Sequence, residues 1–236
     1  MKITEFRISR FQFPRDRVIG DSQVRADFVF VAALELIDTS GQSGLGFIQS
    51  LFTPLPSQDE LERLFLQDVW PGLEGQDPAG LVHRITRPRG GNIRPLSLPA
   101  HEAVQVATWD LLSKQLGLPL WRVLGGDRAP RVAAYASGLD FHLSDDDFCA
   151  LFGTADEQGY SAFKIKVGHP VFERDLHRLE LLSRTVRKGA QIMVDANEAW
   201  GAKEASVKIH AMRDAGFPLL WVEDPILRHD FDGLRL

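Results

Sequence analysis

The sequence predicts an α/β protein whose second part is a parallel sheet built from repeated βα units. Four short, largely apolar runs follow one another there, over residues 132–137, 162–167, 191–195 and 219–223. A helical pattern of apolar residues separates each run from the next, as expected where strands alternate with helices. Four such strands are half of an eight-stranded barrel. The alternative is a short open sheet, because the period alone fits both.

The first part of the chain predicts a mixed α+β region. Residues 3–13 and 26–37 are rich in β-branched and aromatic residues, as strands are. A turn cluster over 38–41 leads into a return strand over 44–51, so these segments predict a hairpin. The polar, glycine-containing segment 14–22, between the first two strands, is predicted to be a surface loop.

Three helices are predicted in the rest of this region. A helix over 57–69 begins at the N-cap Ser57. Asp77 caps a short second helix, with proline at its first position. A third helix spans 101–116, where apolar residues recur mostly at steps of three and four, and it ends at Gly117.

Two segments separate these elements from the repeated units. The proline- and glycine-rich segment 87–99 is predicted to be a loop. The sequence Gly-Gly-Asp-Arg over 125–128 is typical of a domain boundary. We therefore divide the chain into a first domain, 1–125, and a second, 126–236.

The composition excludes several functional classes. The chain has 27 Lys and Arg against 32 Asp and Glu, a formal net charge of −5, and its basic residues are scattered. Nucleic acids and anionic membranes are bound by clustered basic residues, so neither is an expected partner. The apolar stretch 28–37 is interrupted by Glu35 and is too short to span a bilayer. The first residues show no signal peptide, and the single cysteine, Cys149, fits a reducing compartment, so we expect a cytoplasmic protein.

Lys164 and Lys166 lie two residues apart in the predicted strand 162–167. This spacing puts both ammonium groups on one face of the strand and its apolar residues on the other. In an antiparallel sheet that face could be exposed to solvent, but the helices around a parallel sheet cover both faces. Two lysines there are costly unless they line a cavity. Their proximity is expected to lower their pKa toward that of a usable base, although structural charge networks also contain paired lysines.

Asp195 and Glu223 each follow an apolar run and end a predicted strand. Lys166, Asp195 and Glu223 are spaced by 29 and 28 residues, one βα unit each. Ligands collect beyond the carboxyl ends of parallel strands, and two carboxylates there provide hard oxygen ligands suited to Mg²⁺. A single carboxylate at a strand end is often only an N-cap, which is the alternative for Asp195. The pair of carboxylates beside two lysines favours a functional site.

Three strand motifs occur in a specific order: Lys164-Ile-Lys166-Val-Gly168, Val194-Asp195-Ala-Asn197 and Trp221-Val-Glu223-Asp-Pro225. Together they resemble the enolase superfamily, and more narrowly its mandelate racemase and muconate lactonizing enzyme branch. Residues 107–112, followed by 116–120 and 124–126, are similar to the last helix and linker of that family's capping domain. The resemblance implies an α+β capping domain followed by the first half of a (β/α) TIM-type barrel, incomplete in this chain.

The resemblance also implies a chemistry. Members of the family abstract a proton α to a carboxylate, and bound Mg²⁺ stabilises the resulting enediolate. Lys166 matches the family's base, and Lys164 matches the companion that tunes its charge. Asp195 and Glu223 match the first two metal ligands. Asn197 is a candidate for contacting the substrate.

Two further side chains are candidate substrate contacts. Arg17 belongs to the charged segment 14–22, whose equivalent in the family closes over the substrate, although most polar surface loops have no such role. His169 follows Lys166 closely and is expected to reach the rim of the cavity. The alternative for His169 is a solvated loop histidine.

The chain departs from the family pattern in two places. Phe47 and Ile48 stand where many relatives carry a glutamate, which concerns the capping domain. The chain also ends at Leu236, before the third metal carboxylate, which is expected roughly 25 to 30 residues after Glu223, one βα step further. The strands that carry the family's second acid/base are absent as well. We therefore expect this chain to be the first portion of a longer protein.

The leading interpretation is a Mg²⁺-dependent sugar-acid dehydratase. A racemase, epimerase or cycloisomerase of the same branch is the first alternative, because all of these share an enolate-type intermediate. A catalytically silent ligand-binding relative, or a truncated product, is the alternative of another class. A small carboxylate is the expected partner, and a homo-oligomer is the expected assembly.

Overall fold

The computed structural model describes residues 1–50, 53–83, 100–128 and 131–235. The chain divides into two compact units: Met1–Pro14 with Phe28–Arg131, and Arg15–Asp27 with Val132–Leu236. The predicted domain boundary after residue 125 stays a prediction. No helix in the described ranges combines the length and apolar character needed to cross a membrane.

The first sheet contains three strands in the order β1 (Ile3–Gly20), β2 (Arg25–Asp38) and β3 (Ser43–Ser50). The strands β2 and β3 pair antiparallel, as the sequence predicted. Leu51, the last residue of the predicted return strand, lies outside the described residues. Alternate residues of β2 are buried in a core shared with the first helices, as a strand with one covered face requires: Ala32, Leu34 and Leu36.

The prediction of a loop over 14–22 is wrong. The strand β1 continues to Gly20, and a short turn leads into β2. Asp21 stabilises this turn, because its Oδ1 accepts hydrogen bonds from the backbone N–H groups of Gln23 and Val24. The residues of this segment carry no apolar alternation by which a strand could be recognised from sequence.

The three predicted helices of this region are confirmed. They are α1 (Gln58–Asp68), α2 (Pro78–Leu81) and α3 (Ala100–Gln115), and a short α4 (Leu120–Val123) and a 3₁₀ turn (Trp70–Gly72) accompany them. Ser57 and Asp77 cap α1 and α2, as predicted. The predicted loop 87–99 lies outside the described residues.

Two glycines of β3 allow α3 to lie directly against the first sheet. A Cβ atom at Gly44 would come within 2.1 Å of the carbonyl oxygen of Ala107, and one at Gly46 within 2.0 Å of that of Ala103. Any side chain at these positions would push the helix away from the strand. These glycines therefore have a packing role.

The second unit confirms the predicted parallel sheet and its alternating helices. Its strands lie in the order β4 (Ala136–Ser137), β5 (Ala162–Lys166), β6 (Gln191–Asp195) and β7 (Leu219–Glu223). All neighbouring strands are parallel. The helices are α5 (Asp145–Glu157), α6 (Phe172–Thr185) and α7 (Ala202–Asp214), and a 3₁₀ turn spans Gly233–Arg235. The strand predicted over 132–137 is only two residues long in the structure.

The two faces of β5 differ as the period-two pattern predicted. Phe163, Ile165 and Val167 are fully buried in an apolar core with residues of α5 and α6. Lys164 and Lys166 project from the opposite face. The strand is therefore covered on its helical side and carries two amines on the other.

Candidate active site

Two lysines and two carboxylates meet at the carboxyl edge of the parallel sheet. Lys166 Nζ donates hydrogen bonds to Asp195 Oδ2 (2.7 Å) and Asn197 Oδ1 (2.9 Å). Lys164 Nζ donates to Glu223 Oε2 (2.7 Å) and lies 3.6 Å from Asp195 Oδ2. The two ammonium groups and the carboxylates thus form one continuous network, which we call the lysine–carboxylate cluster.

The strand register produces this convergence. Lys166 is the register partner of Asp195 across β5 and β6, and Asp195 is the partner of Glu223 across β6 and β7. Residues at the same level of neighbouring strands present their side chains on the same face. The sequence spacing of one βα unit therefore becomes side-chain contact in the fold.

The cluster is largely removed from solvent. The side chains of Lys164 and Lys166 are 9% and 8% exposed and that of Asp195 is 4% exposed, whereas that of Glu223 is 39% exposed. Buried charges are tolerated when they are paired and hydrogen-bonded, which is the case for each of these groups. Glu223 is the member of the cluster that solvent or a ligand can reach most easily.

The pKa of Lys164 is shifted in the direction opposite to the predicted lowering. Burial lowers the pKa of this ammonium group, but its hydrogen bond to Glu223 and the charge of Asp195 outweigh burial. The net result is a pKa above the ordinary value for lysine. The sequence indicated the two amines but not that one of them would contact two carboxylates.

The turn after β6 brings Asn197 back toward Lys166. Asn197 and Glu198 have positive φ angles of 49° and 62°, and Asp224, after β7, has φ of 39°. The Asn197 N–H donates to Asp195 Oδ1 (3.0 Å), and the Glu198 N–H donates to the Asp224 carbonyl (2.7 Å). Left-handed backbone is uncommon outside glycine and concentrates at functional sites. Here it aims the amide of Asn197 at the ammonium group.

Arg17 and His169 lie apart from this network. Arg17 lines an open cavity of about 540 Å³ together with Tyr135, Gln158 and Tyr160. His169 is half-buried, and its Nδ1 accepts a hydrogen bond from the Val171 N–H (3.0 Å). Within the described ranges, neither side chain has a hydrogen bond to the lysine–carboxylate cluster.

Asp140 is a buried acid beside the cluster that the sequence analysis missed. Its side chain lies in the loop after β4, and both carboxylate oxygens are 3.2 Å from the backbone nitrogen of Lys166. Burial raises the pKa of Asp140 to about 7, against the opposing effects of the Lys166 N–H hydrogen bond and the charge of Arg178. The sequence feature that could have identified Asp140 is its position as an acidic residue shortly after the first strand of the βα repeat.

Asp195 and Glu223 offer oxygen ligands for a divalent cation. In the described part of the chain, no three His, Cys, Asp or Glu side chains are grouped so as to hold a metal ion. Mg²⁺ is commonly bound through one or two carboxylates, with water and substrate oxygens completing its octahedron. The two strand-end carboxylates, one of them partly exposed, fit that pattern.

Comparison with known proteins gives a consistent set of relatives. Residues 150–236 match the family model described as enolase C-terminal domain-like. The chain is 34% identical over 242 residues to a 3,6-anhydro-α-L-galactonate cycloisomerase from Streptomyces coelicolor, covering 98% of the chain and 64% of that protein. It is 31% identical over 182 residues to the L-Ala-D/L-Glu epimerase of Bacillus subtilis, covering 76% and 48%. An L-talarate/galactarate dehydratase from Salmonella typhimurium is 29% identical over 171 residues, covering 71% and 42%.

Solved structures agree with these sequence matches. A protein from Mesorhizobium loti, provisionally named a mandelate racemase, is 62% identical and superimposes with a TM-score of 0.94, covering 100% of this chain and 62% of that chain. A racemase from Streptomyces coelicolor, crystallised with bound magnesium, is 25% identical with a TM-score of 0.80, covering 98% and 64%. The chain thus spans between 42% and 64% of the length of these relatives.

Proposed function

Because the chain belongs to the enolase superfamily, in the branch of the mandelate racemases and muconate lactonizing enzymes, we propose that its protein removes a proton α to a carboxylate in a Mg²⁺-dependent reaction. The observation that carries this proposal is the lysine–carboxylate cluster, which two lysines of β5, Asp195 of β6 and Glu223 of β7 form at one edge of the sheet. Amines beside two carboxylates combine a proton acceptor with oxygen ligands for a cation.

Lys166 is the proposed base. In its neutral form the amine takes the α-proton; the C–H bond breaks, and its electron pair moves into the substrate carboxylate to form an enediolate. The ammonium group that results is the form whose hydrogen bonds to Asp195 and Asn197 are described above. These two acceptors stabilise the conjugate acid and fix the position of its nitrogen.

The substrate carboxylate gains a second negative charge when the α-proton leaves. A magnesium ion held by Asp195 and Glu223 would supply positive charge at the carboxylate oxygens, where that charge develops. Lys164 places a second fixed positive charge in the cluster, next to Asp195 and Glu223. Cations fixed in advance favour the transition state over the substrate, because they do not reorganise during the reaction.

For the overall reaction we propose dehydration of a sugar acid. After α-proton removal, the β C–O bond breaks and the hydroxyl group takes a proton from a general acid and leaves as water. The enol that remains becomes a keto acid. A relative that is named a talarate and galactarate dehydratase supports this choice. The proposal includes Arg17 and His169 as substrate contacts, a small carboxylate as the partner, a cytoplasmic location and a homo-oligomeric assembly.

Cycloisomerisation is the second candidate reaction. The relative that is 34% identical over 98% of this chain is named a cycloisomerase of an anhydro-sugar acid. Both reactions begin with a sugar acid and an enolate-type intermediate, and they differ in whether water leaves or a ring forms or opens. Product analysis therefore separates them, whereas loss of the α-proton is common to both.

The proposal is tested by incubating the protein with Mg²⁺ and a panel of aldonates, aldarates, anhydro-sugar acids and dipeptides in D₂O. Proton NMR follows the loss of the α-proton signal and the appearance of keto-acid or cyclised product. We expect exchange in the wild type and in Lys203→Ala, a control at an exposed lysine of α7, but no exchange in Lys166→Ala. Unchanged exchange in Lys166→Ala would show that Lys166 is not the base. If the wild type, with metal bound, exchanges the α-proton of no compound in the panel, the result would favour a ligand-binding relative.

A further inference from the structure

The N–H group of Lys166 lies where its neighbouring strand has already ended. The short strand β4 pairs with β5 only as far as Ser137, opposite Lys164. The next N–H along β5, that of Val167, donates to the Asp195 carbonyl (2.9 Å) on the β6 side. Because successive N–H groups of a strand alternate in direction, the Lys166 N–H points to the opposite side, beyond the end of β4.

Asp140 supplies the acceptor that β4 does not. Both of its carboxylate oxygens lie 3.2 Å from the Lys166 nitrogen, so its side chain continues the sheet's hydrogen bonding by one step. A buried N–H without an acceptor is costly, which makes this contact a requirement at this position. Lys166 is thus held through its backbone by Asp140 and through its ammonium group by Asp195 and Asn197.

The loop that carries Asp140 is itself fixed by the hairpin at 15–27. Gly20 forms a parallel bridge with Asp140, and its N–H donates to the Leu139 carbonyl (3.0 Å). On the other side of the loop, His142 Nε2 lies 3.1 Å from the Val24 carbonyl. The side chain of Asp140 is almost fully buried, so its orientation is set by this packing.

We propose that Asp140 is a positioning residue for Lys166. By holding the end of β5, it determines where the Lys166 ammonium group lies relative to Asp195 and Asn197. This inference rests on the proposed role of Lys166 as the base, and it adds a residue outside the three strand motifs. An amide at this position would accept through one oxygen only, and its NH₂ group would replace the second acceptor that now faces the Lys166 N–H.

The first experiment needs no enzymatic activity. With ¹⁵N-lysine labelling, the backbone amide of Lys166 is assigned by its disappearance in Lys166→Arg, and its chemical shift is followed from pH 5 to 9. The charges that act on Asp140 come from Lys166 of β5 and Arg178 of α6, and His142 is the neighbouring histidine of the same loop. We expect a titration near pH 7 from Asp140 that is absent in Asp140→Asn. An amide shift of Lys166 that is the same in the wild type and in Asp140→Asn at every pH would overturn the contact.

The second experiment uses α-deuterium exchange. Asp140→Asn should lower kcat about tenfold or more and leave KM and the Mg²⁺ affinity within twofold, because the substrate and metal groups are untouched. Asp146→Asn, at an exposed acid in the first turn of α5, is the matched control. Equal kcat values in the two variants would overturn the positioning role. A wild type without exchange would refute the proposed function, while the amide titration would still decide the Asp140 contact.

Discussion

Lys166 and Asp195 are 29 residues apart in sequence, yet Lys166 Nζ lies 2.7 Å from Asp195 Oδ2 across two adjacent strands. Both side chains are more than nine-tenths buried. Asp195 also has Lys164 at 3.6 Å, whereas Lys166 has Asn197 as its only other side-chain partner in the described part of the chain. The carboxylate of Asp195 is therefore the negative charge that both ammonium groups of the cluster share.

Removing the carboxylate of Asp195 should destabilise the protein more than removing the amine of Lys166. Asp195→Asn leaves the Lys166 charge buried beside a neutral amide, and loss of one partner of a buried pair costs about 3–5 kcal/mol. Lys166→Met costs less, because Asp195 keeps Lys164 nearby. Urea unfolding of both variants measures the difference. The reverse order of stabilities would contradict this account of the cluster.

The two carboxylates should both contribute to magnesium binding. We expect Asp195→Asn and Glu223→Gln each to weaken Mg²⁺ binding by at least about tenfold, since even groups that only orient metal ligands have effects of that size. Lys166→Ala should leave the affinity largely intact, because the amine of this residue offers no ligand oxygen. Calorimetric titration with Mg²⁺ measures each value, and Glu157→Gln, at an exposed position, is the control. Wild-type affinity in both carboxylate variants would exclude them as ligands.

Gly46 should be sensitive to the smallest substitution. In Gly46→Ala the new methyl group would meet the Ala103 carbonyl at 2.0 Å, so α3 must move away from β3, and overpacking of this kind costs about 1–3 kcal/mol. Gly80→Ala is the matched control, because nothing lies within 4 Å of its Cβ and the residue is helical. The control should be neutral or stabilising by up to about 1 kcal/mol. Thermal unfolding of the pair tests this, and equal stabilities would show that the helix has room to shift.

The raised pKa of Asp140 predicts a pH dependence of stability. Its folded-state pKa of about 7 lies above the ordinary value of 3.8, so the folded state binds more protons than the unfolded state between these values. The contribution of Asp140 to stability is then fully present below pH 3.8 and is lost as the pH rises toward 7. The free energy of unfolding of the wild type, measured relative to Asp140→Asn, should fall over this interval. A difference between the two that stays constant with pH would refute the shifted pKa.

Several features of the site could be predicted from sequence because they depend on strand periodicity. The two-residue spacing of Lys164 and Lys166 places them on one face, and the βα spacing brings Asp195 and Glu223 to the same edge. Motif resemblance added their proposed roles. Periodicity reports which face and which end of a strand a residue occupies, and this was sufficient for these four side chains.

The polar hairpin and the turns around the sheet were not predictable in the same way. The segment 14–22 has no apolar alternation, so its strand structure depends on backbone pairing and on the turn at Asp21. The direction of the Lys164 pKa shift depends on how far its ammonium group lies from two carboxylates. A distance between residues of different strands is set by the register and is not encoded in the local pattern.

The amino-acid pattern was enough to predict the alternation of strands and helices, the parallel sheet and the edge at which the charged residues collect. In contrast, the fold was needed to show that β4 ends after two residues and that Asp140 takes its place beside the Lys166 N–H. A buried donor requires an acceptor, but which residue supplies it depends on where a loop is held in space. That position follows from packing between segments far apart in the chain.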